Sequence, residues 1–158
     1  MREILFRGKK VNKDKWIYGV PLKGTPDDET ETIIIESVFC CEEYFCRGCN
    51  FDPVIPETVE QFTGLTDKNG KKIFEGDIVK YTRKNMYAPE TSFHKQDLVS
   101  IHIIEWDNKD CMFEQKHYSL ESKRIIGSGG LPFEDDRANE NIIEVIGNIH
   151  DNPELLEV

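Results

Sequence analysis

The sequence lacks any long hydrophobic run. Its longest uninterrupted aliphatic stretch is residues 33–35, whereas a helix needs about 20 apolar residues to span a bilayer, so we expect no membrane span. It also lacks a charged and then apolar leader that ends in small residues, which argues against secretion and predicts a cytoplasmic protein. With 158 residues, the chain suits one compact domain and is too short for a large multidomain enzyme.

Basic residues are scarce as well. The chain has 20 Lys and Arg against 30 Asp and Glu, which gives a net charge of −10. Because non-specific binding to a phosphate backbone requires clustered positive charge, nucleic-acid binding is disfavoured. The charge is uneven: residues 1–25 carry +5, residues 26–60 carry −9, residues 61–125 carry +1 and residues 126–158 carry −7. The simplest interpretation is solvated acidic loops. The alternatives are complementary surfaces in a homo-oligomer, or an acidic face that occupies a basic or nucleic-acid-binding host partner.

No motif for a catalytic or nucleotide-binding centre is present. The sequence contains no GxxxxGK[ST] or GxGxxG loop, no GxSxG elbow and no HExxH pair. The four histidines lie far apart, and each is interpreted as a surface or hydrogen-bonded residue: His94, His102, His117 and His150. Three acidic residues are interpreted as turn residues rather than as a carboxylate cluster: Asp67, Glu75 and Asp77. We therefore expect no enzymatic activity.

Cysteine is the one chemically reactive residue type that clusters. The segment CCEEYFCRGC supplies four candidate zinc ligands: Cys40, Cys41, Cys46 and Cys49. The last two form a CxxC pair whose turn can bring two thiolates onto one ion, with Cys111 or a histidine as a further ligand. A structural zinc ion would stabilise a small lobe. However, adjacent cysteines seldom both bind one metal and no second CxxC exists, so free thiols, or a redox pair or disulfide, remain alternatives.

Most hydrophobic stretches are short and alternate with polar residues, as in β-strands. Residues 16–20 alternate at the two-residue period of a strand, and with the short apolar run at residues 3–7 they predict a hairpin over the first 22 residues. β-Branched residues predict a third strand at residues 32–38. Later strands are predicted at residues 99–106, 111–118, 124–126 and 142–146, with the GSGG segment at residues 127–130 as a flexible turn.

Residues 61–81 give the clearest local signal. The pair Asn69 and Gly70 is typical of a type I′ hairpin turn, because both central residues of that turn need positive φ. A second turn at residues 75–77 leads into a strand, a pattern that is common at the start of small Src-homology-3-like barrels. Closing such a barrel would remove the exposed edges that short strands otherwise leave.

Two further groups of residues favour binding only weakly. Five aromatic residues are interpreted as core rather than as a stacking platform for a ligand or single-stranded nucleic acid: Trp16, Tyr18, Phe62, Phe74 and Trp106. Four lysines form the one plausible phosphate-facing patch, at the tip of the predicted hairpin: Lys9, Lys10, Lys13 and Lys15.

Three segments together resemble the YopX family of phage and prophage proteins. They are REILFRGKKVNKDKWIYG at residues 2–19, PETVEQFTGLTDKNGKKIFEGDIVKY at residues 56–81 and IIEVIGNIHDNPELL at residues 142–156. The resemblance implies a mainly β protein of phage or prophage origin that forms homo-oligomers and has no established biochemical activity. The cysteine cluster is not part of these motifs, so a zinc site would be peculiar to this member.

These observations predict a mainly β fold. An N-terminal β-hairpin lobe (residues 1–60) packs on a small Src-homology-3-like barrel (residues 61–158), and the two form one cooperative unit. A short C-terminal helix begins at Asn152 and Pro153. The leading functional hypothesis is a non-enzymatic module, without a cofactor, that assembles with itself or binds a host or phage protein. A zinc-binding structural protein is the alternative.

Overall fold

The computed structural model describes residues 3–24, 32–37, 50–83, 98–130 and 141–157. These residues form two short 3-10 turns, Pro56–Thr58 and Pro153–Leu156, and the following strands: β1 (Phe6–Lys9), β2 (Trp16–Lys23), β3 (Thr32–Ser37), β4 (Asn50–Pro53), β5 (Glu60–Thr66), β6 (Lys72–Phe74), β7 (Asp77–Arg83), β8 (Leu98–Asp107), β9 (Met112–Ser119), β10 (Arg124–Gly130) and β11 (Asn141–Asn148). No helix in the described ranges is long and apolar enough to cross a membrane.

The strands form two sheets. One has the order β4-β3-β2-β1-β5-β6 and the other has the order β10-β9-β8-β7-β11. The chain divides into two compact units, Met1–Gly64 and Leu65–Val158, with the boundary inside β5. The prediction of a mainly β fold is therefore confirmed.

The first unit is built on the predicted N-terminal hairpin. β1 and β2 pair antiparallel, so that Gly8 lies opposite Ile17, and β3 and β4 then extend the sheet. The core of this unit consists of Ile17, Ile34 and Val54, with Val59 packed against them. Gly8 lies where β1 passes close to this core: a Cβ atom there would lie 3.0 Å from a side-chain carbon of Ile34, which would have to shift to admit a larger residue. The prediction of a hairpin over the first 22 residues is confirmed.

The main hydrophobic core of the second unit lies on one face of its five-stranded sheet, although Ile78 and Ile103 on the other face are also buried. Alternation along β8 puts His102, Ile104 and Trp106 on the same face, because successive side chains of a strand point to opposite sides. The core on that face consists of Ile73, Val79, Ile104, Phe113 and Val145, with Leu65 and Ile143 packed against it. Burying these aliphatic side chains supplies the main stabilisation of the unit, at about 25 cal/mol for each Å² of apolar surface removed from water.

The predicted Src-homology-3-like barrel is not confirmed. Within the described residues the sheet begins at β10 and ends at β11, and no pairing joins these two strands. Short strands close into a barrel only when the first and last strands can hydrogen-bond with each other. The second sheet is therefore open, and its two edge strands are separate features of the surface.

Three local predictions differ from the structure. The GSGG segment does not form a turn: it continues β10 and pairs with β9. Gly70 has a φ of 78°, whereas Asn69 is not among the described residues with positive φ, so the turn is not type I′. Instead the Gly70 amide bonds to the Asp67 carbonyl and the Asp67 amide bonds to the Lys71 carbonyl, which fits a type I turn followed by a glycine bulge. The C-terminal helix is limited to the 3-10 turn Pro153–Leu156.

Candidate functional site

The most exposed element of the second unit is the edge strand β10. All seven of its residues are exposed, and it includes two large aliphatic side chains, Ile125 and Ile126, which are 45% and 54% exposed. Its only charged residue is Arg124, at its first position. In the described part of the chain, the backbone of β10 pairs with β9 alone. A strand with free backbone donors and acceptors on one side is a template for pairing with another strand.

The opposite edge of the same sheet, β11, is covered by the turn that follows β5. The Lys68 amide donates a hydrogen bond to the Ile143 carbonyl, and the Val145 amide donates to the Asp67 carboxylate. The Lys68 ammonium also pairs with Glu144 at 2.7 Å. The outward-facing backbone groups in the middle of β11 are thus partnered from within the unit.

The first sheet has two edge strands, β4 and the three-residue β6, and β4 is protected in another way. It has only four residues and ends in Pro53, which has no amide hydrogen to offer a further strand. The Val11 amide donates to the Pro53 carbonyl, and Lys10 pairs with Asp52 at 2.5 Å. Short length, proline, charge and a covering turn are the usual means by which edge strands avoid pairing with other chains. β10 has only the terminal Arg124 and a register shift between Ile125 and Gly127, and no covering turn bonds to it in the described part of the chain.

A row of paired residues runs across the sheet from β7 through β8 and β9 to β10. The register places His102 opposite Val79 on β7 and opposite His117 on β9, and places His117 opposite Gly127 on β10. The two imidazole rings stack with a centroid separation of 4.9 Å. Tyr81 meets His102 edge-on at 5.6 Å. Sequence reasoning treated these histidines as separate, whereas the β8–β9 register puts them side by side.

His102 is buried, with 8% of its surface exposed. Its Nε2 atom lies 2.7 Å from the Ser100 hydroxyl, while its Nδ1 atom has no hydrogen-bond partner among the described residues. The Oε1 atom of Gln115, two residues before His117, is also buried without a partner. Burial, and then the neighbouring His117, lower the pKa of His102 to about 4.

The contact between Ser100 and His102 has the spacing of a nucleophile and its base. A catalytic histidine is normally oriented by a third group on its other nitrogen, and His102 lacks such a partner within the described residues. A histidine with a pKa near 4 is also a weak base at neutral pH. The pair therefore lacks two of the features that serine hydrolysis needs.

The predicted turn acids have structural roles. The carboxylate of Asp67 accepts hydrogen bonds from the amides of Asn69, Lys71 and Val145 at 2.8, 2.9 and 3.1 Å. Burial raises the pKa of Asp67, but these hydrogen bonds outweigh it, so the net pKa is lowered. Asp77 accepts from the Phe74 amide at 2.8 Å. The described residues contain no group of three or more His, Cys, Asp or Glu that could hold a metal ion.

The aromatic and basic candidates are dispersed. Phe62 and Phe74 are buried, which confirms their assignment to the core. Trp16 instead lies beneath the guanidinium of Arg7, at 4.6 Å from its ring centroid. Tyr18 and Trp106 are 48% and 37% exposed, so these two side chains lie partly at the surface rather than fully in the core. Among the hairpin lysines, Lys9 pairs with Asp14 and Lys10 pairs with Asp52, so part of the basic patch is neutralised within the chain.

The four clustered cysteines lie outside the described residues, so the zinc interpretation stays a prediction: Cys40, Cys41, Cys46 and Cys49. Cys111, the proposed further ligand, is exposed as a free thiol in the turn between β8 and β9. His94 also lies outside the described residues. The predicted acidic loops fall largely in the same undescribed segments.

Comparison with known proteins gives a consistent result. A solved structure, that of protein EF1440 from Enterococcus faecalis, is similar over 99% of this chain and 100% of that chain, with 24% identity and a TM-score of 0.51. This similarity concerns the fold alone. No curated protein matches the chain. The family model described as YopX protein matches residues 5–157, which is nearly the whole chain, and the protein therefore belongs to the YopX family.

Proposed function

We propose that this protein is a non-enzymatic module that assembles with a second copy of itself through β10. The observation that carries the proposal is the difference between edges, since β10 is exposed over its full length while β4 and β11 are covered. The added strand would pair with the outer side of β10, so that its backbone hydrogen bonds continue the sheet into the partner. Assembly of this kind needs no cofactor.

A second copy fits β10 because the strand is complementary to itself. Antiparallel pairing centred on Gly127 would place Ile125 opposite Gly129 and Ile126 opposite Ser128, so each large side chain faces a small one. Arg124 would lie opposite Gly130, so no like charges face each other. An antiparallel pair of identical strands also has the two-fold symmetry of a closed dimer.

One added strand makes a small interface. Stable interfaces bury on the order of 1,200 Å² or more, and smaller ones are usually transient. We therefore expect a reversible dimer whose population depends on protein concentration. Each copy carries a charge of −10, so the copies repel at long range and added salt should strengthen the dimer by screening this repulsion.

Sedimentation velocity of the whole chain tests the proposal, over concentrations from about 5 to about 200 µM. We expect a monomer–dimer equilibrium for the wild type. The double variant Ile125→Lys/Ile126→Lys should weaken the dimer by at least about tenfold, because it places four added positive charges around one small interface. Both side chains are about half exposed, so the fold should be preserved.

Val99→Lys is the matched control. Val99 is an aliphatic residue that is 55% exposed, but it lies on the interior strand β8, where it pairs with Thr82 of β7. This variant should dimerise like the wild type. A wild-type chain that stays monomeric throughout would refute self-assembly. A dimer that survives the double lysine variant would place the interface elsewhere. A dimer that dissociates as salt is added would also place it elsewhere, and would favour contacts between the basic hairpin and acidic loops.

A further inference from the structure

We infer that the stacked pair His102 and His117 is an acid-sensitive switch that controls assembly at β10. This inference rests on the proposed function, because it assigns regulation to the same edge strand. It is carried by the position of the pair, by the burial of His102 and by the absence, among the described residues, of a carboxylate bonded to either ring.

The pair lies between the core and the edge. On the buried face of the sheet, Val79, His102, His117 and Gly127 are successive neighbours across β7, β8, β9 and β10. The strand pairing shifts register between Ile125 and Gly127, beside the position that faces His117. β10 is held by β9 alone in the described part of the chain, so its geometry depends on β9 staying paired with β8.

Few groups face the two rings. Tyr81 contacts His102 from β7, His117 contacts it from β9, and Ser100 bonds to it from its own strand. Four charged residues of these strands lie on the opposite face by the register: Lys80, Glu105, Glu114 and Lys116. Asp77 of β7 shares the face of the pair, and its carboxylate accepts a hydrogen bond from the Phe74 amide. In the described residues no carboxylate bonds to either imidazole ring. Among the described residues, a proton on this pair would therefore have no carboxylate hydrogen-bonded to it.

Protonation is unfavourable while the pair stays in place. The charged form of His102 would be buried, its Nδ1–H would lack an acceptor, and a second imidazolium would lie 4.9 Å away. A shift to arrangements in which the rings reach water relieves all three penalties. Because the rings belong to β8 and β9, such an arrangement separates these strands and removes the support of β10.

The size of the response follows from the difference between the pKa of His102 when it is buried and its pKa when the ring is exposed to water. The pKa of His102 falls from 6.5 to about 4 in the folded chain. Acid therefore favours any state that exposes this ring, starting below about pH 6.5. Between about pH 7.5 and about pH 5, the equilibrium for opening of β8 from β9 should shift by about 30-fold.

Hydrogen exchange and sedimentation together test the switch in the intact chain, at about pH 7.5 and about pH 5. The reference is His102→Phe, which keeps a buried ring but cannot be protonated. Compared with this variant at the same pH, which cancels intrinsic exchange rates, wild-type amides of β9 and β10 should exchange up to about 30-fold faster at the lower pH. The dimer dissociation constant should rise in the wild type and change by less than about twofold in the variant.

His150→Gln is the control, because His150 lies in the turn after β11 and does not belong to the stacked pair; it should keep the full wild-type response. If His102→Phe fails to fold, as judged by near-ultraviolet circular dichroism, His117→Gln replaces it and should reduce the response. A dimer whose affinity responds to pH equally in wild type and variant overturns the switch but leaves assembly standing. Absence of a dimer at neutral pH refutes the proposed assembly, and any switch that depends on it.

Discussion

The edge strands of this protein differ in how well their outward-facing backbone groups are covered. β11 has its outward backbone groups bonded by the Asp67–Lys68 turn, and β4 ends in proline beneath the hairpin turn. β10 is longer than β4, carries a single charge and bonds only to β9 in the described residues. Because an uncovered edge invites pairing with other chains, the contrast between the covered strands β4 and β11 and the open strand β10 supports the proposed assembly through β10.

A single side chain is enough to hold the turn that covers the edge of β11. One carboxylate, Asp67, holds the turn through two amides and bonds to β11 through a third. β10 has no equivalent side chain, since its residues after Ile126 are only glycine and serine. The difference between these edges can therefore be removed by single substitutions.

The largest expected effect comes from uncovering β11. Asp67→Ala removes an acceptor from three amides, of which that of Val145 is buried and those of Asn69 and Lys71 are part-buried. Hydrogen bonds to charged groups contribute about 1.5 kcal/mol or more each, and the two part-buried ones are expected to contribute less. We expect the free energy of unfolding to fall by about 3 kcal/mol, measured by urea denaturation. With two open edges on one sheet, the chain should also form species larger than a dimer.

Asp107→Ala is the matched control for this change. Asp107 accepts one hydrogen bond, from the Lys109 amide, in an exposed turn. Its removal should cost less than about 1 kcal/mol and should leave the oligomeric state unchanged. Equal losses in the two variants would mean that Asp67 does not cover β11 as described.

The second, smaller effect is the pH dependence of the unfolding free energy, which we attribute to His102 on the strand that supports β9 and β10. The folded chain holds the pKa of His102 at about 4, below its usual 6.5. The unfolded state therefore binds this proton first, and the stabilisation is complete above about pH 6.5 and is lost as the pH falls through about 4. Between about pH 7.5 and about pH 5, wild type should lose about 2 kcal/mol more stability than His102→Phe. Equal losses of unfolding free energy in the wild type and in His102→Phe, measured by urea denaturation at both pH values, would contradict this.

The smallest expected effect is at β4. The side chains of Lys10 and Asp52 are 17% and 33% exposed, so their ion pair is partly screened by solvent. Asp52→Asn should cost roughly 0.5–1 kcal/mol, and the cost should shrink at high salt. Because the neighbouring Pro53 still lacks an amide hydrogen, we expect no new self-association by light scattering. Aggregation of this variant would show that charge alone protects β4.

Much of the fold could be predicted from the sequence because its signals are local. Alternation at residues 16–20 and the β-branched residues of 99–106 are typical of strands, and they correctly predicted β2 and β8. Alternation did not identify one buried face of β8, because Ile103 and Ile104 are both buried. The GSGG segment was predicted wrongly because its local signals indicate a turn. Glycine and serine carry no alternating signal, and only pairing with Gln115 and Lys116 on the neighbouring strand makes this segment a strand.

The candidate site depended on pairings between residues that are distant in the sequence. His102 and His117 are separated by fifteen positions, and they meet because the turn between β8 and β9 pairs Asp107 with Met112. Whether the five strands close into a barrel likewise depends on β10 and β11 meeting, which no local pattern encodes. The exposure of β10 follows from that missing pairing.

Hydrogen exchange at varied protein concentration tests assembly through β10 most directly. Backbone amides that bond to a second chain exchange more slowly as the dimer forms, whereas amides at uninvolved edges do not change. We predict that raising the concentration from about 5 to about 200 µM slows exchange within residues 124–130 and leaves residues 50–53 and 141–148 unchanged. Exchange in β10 that is independent of concentration, or slowing at β4 or β11 instead, would contradict assembly through this strand.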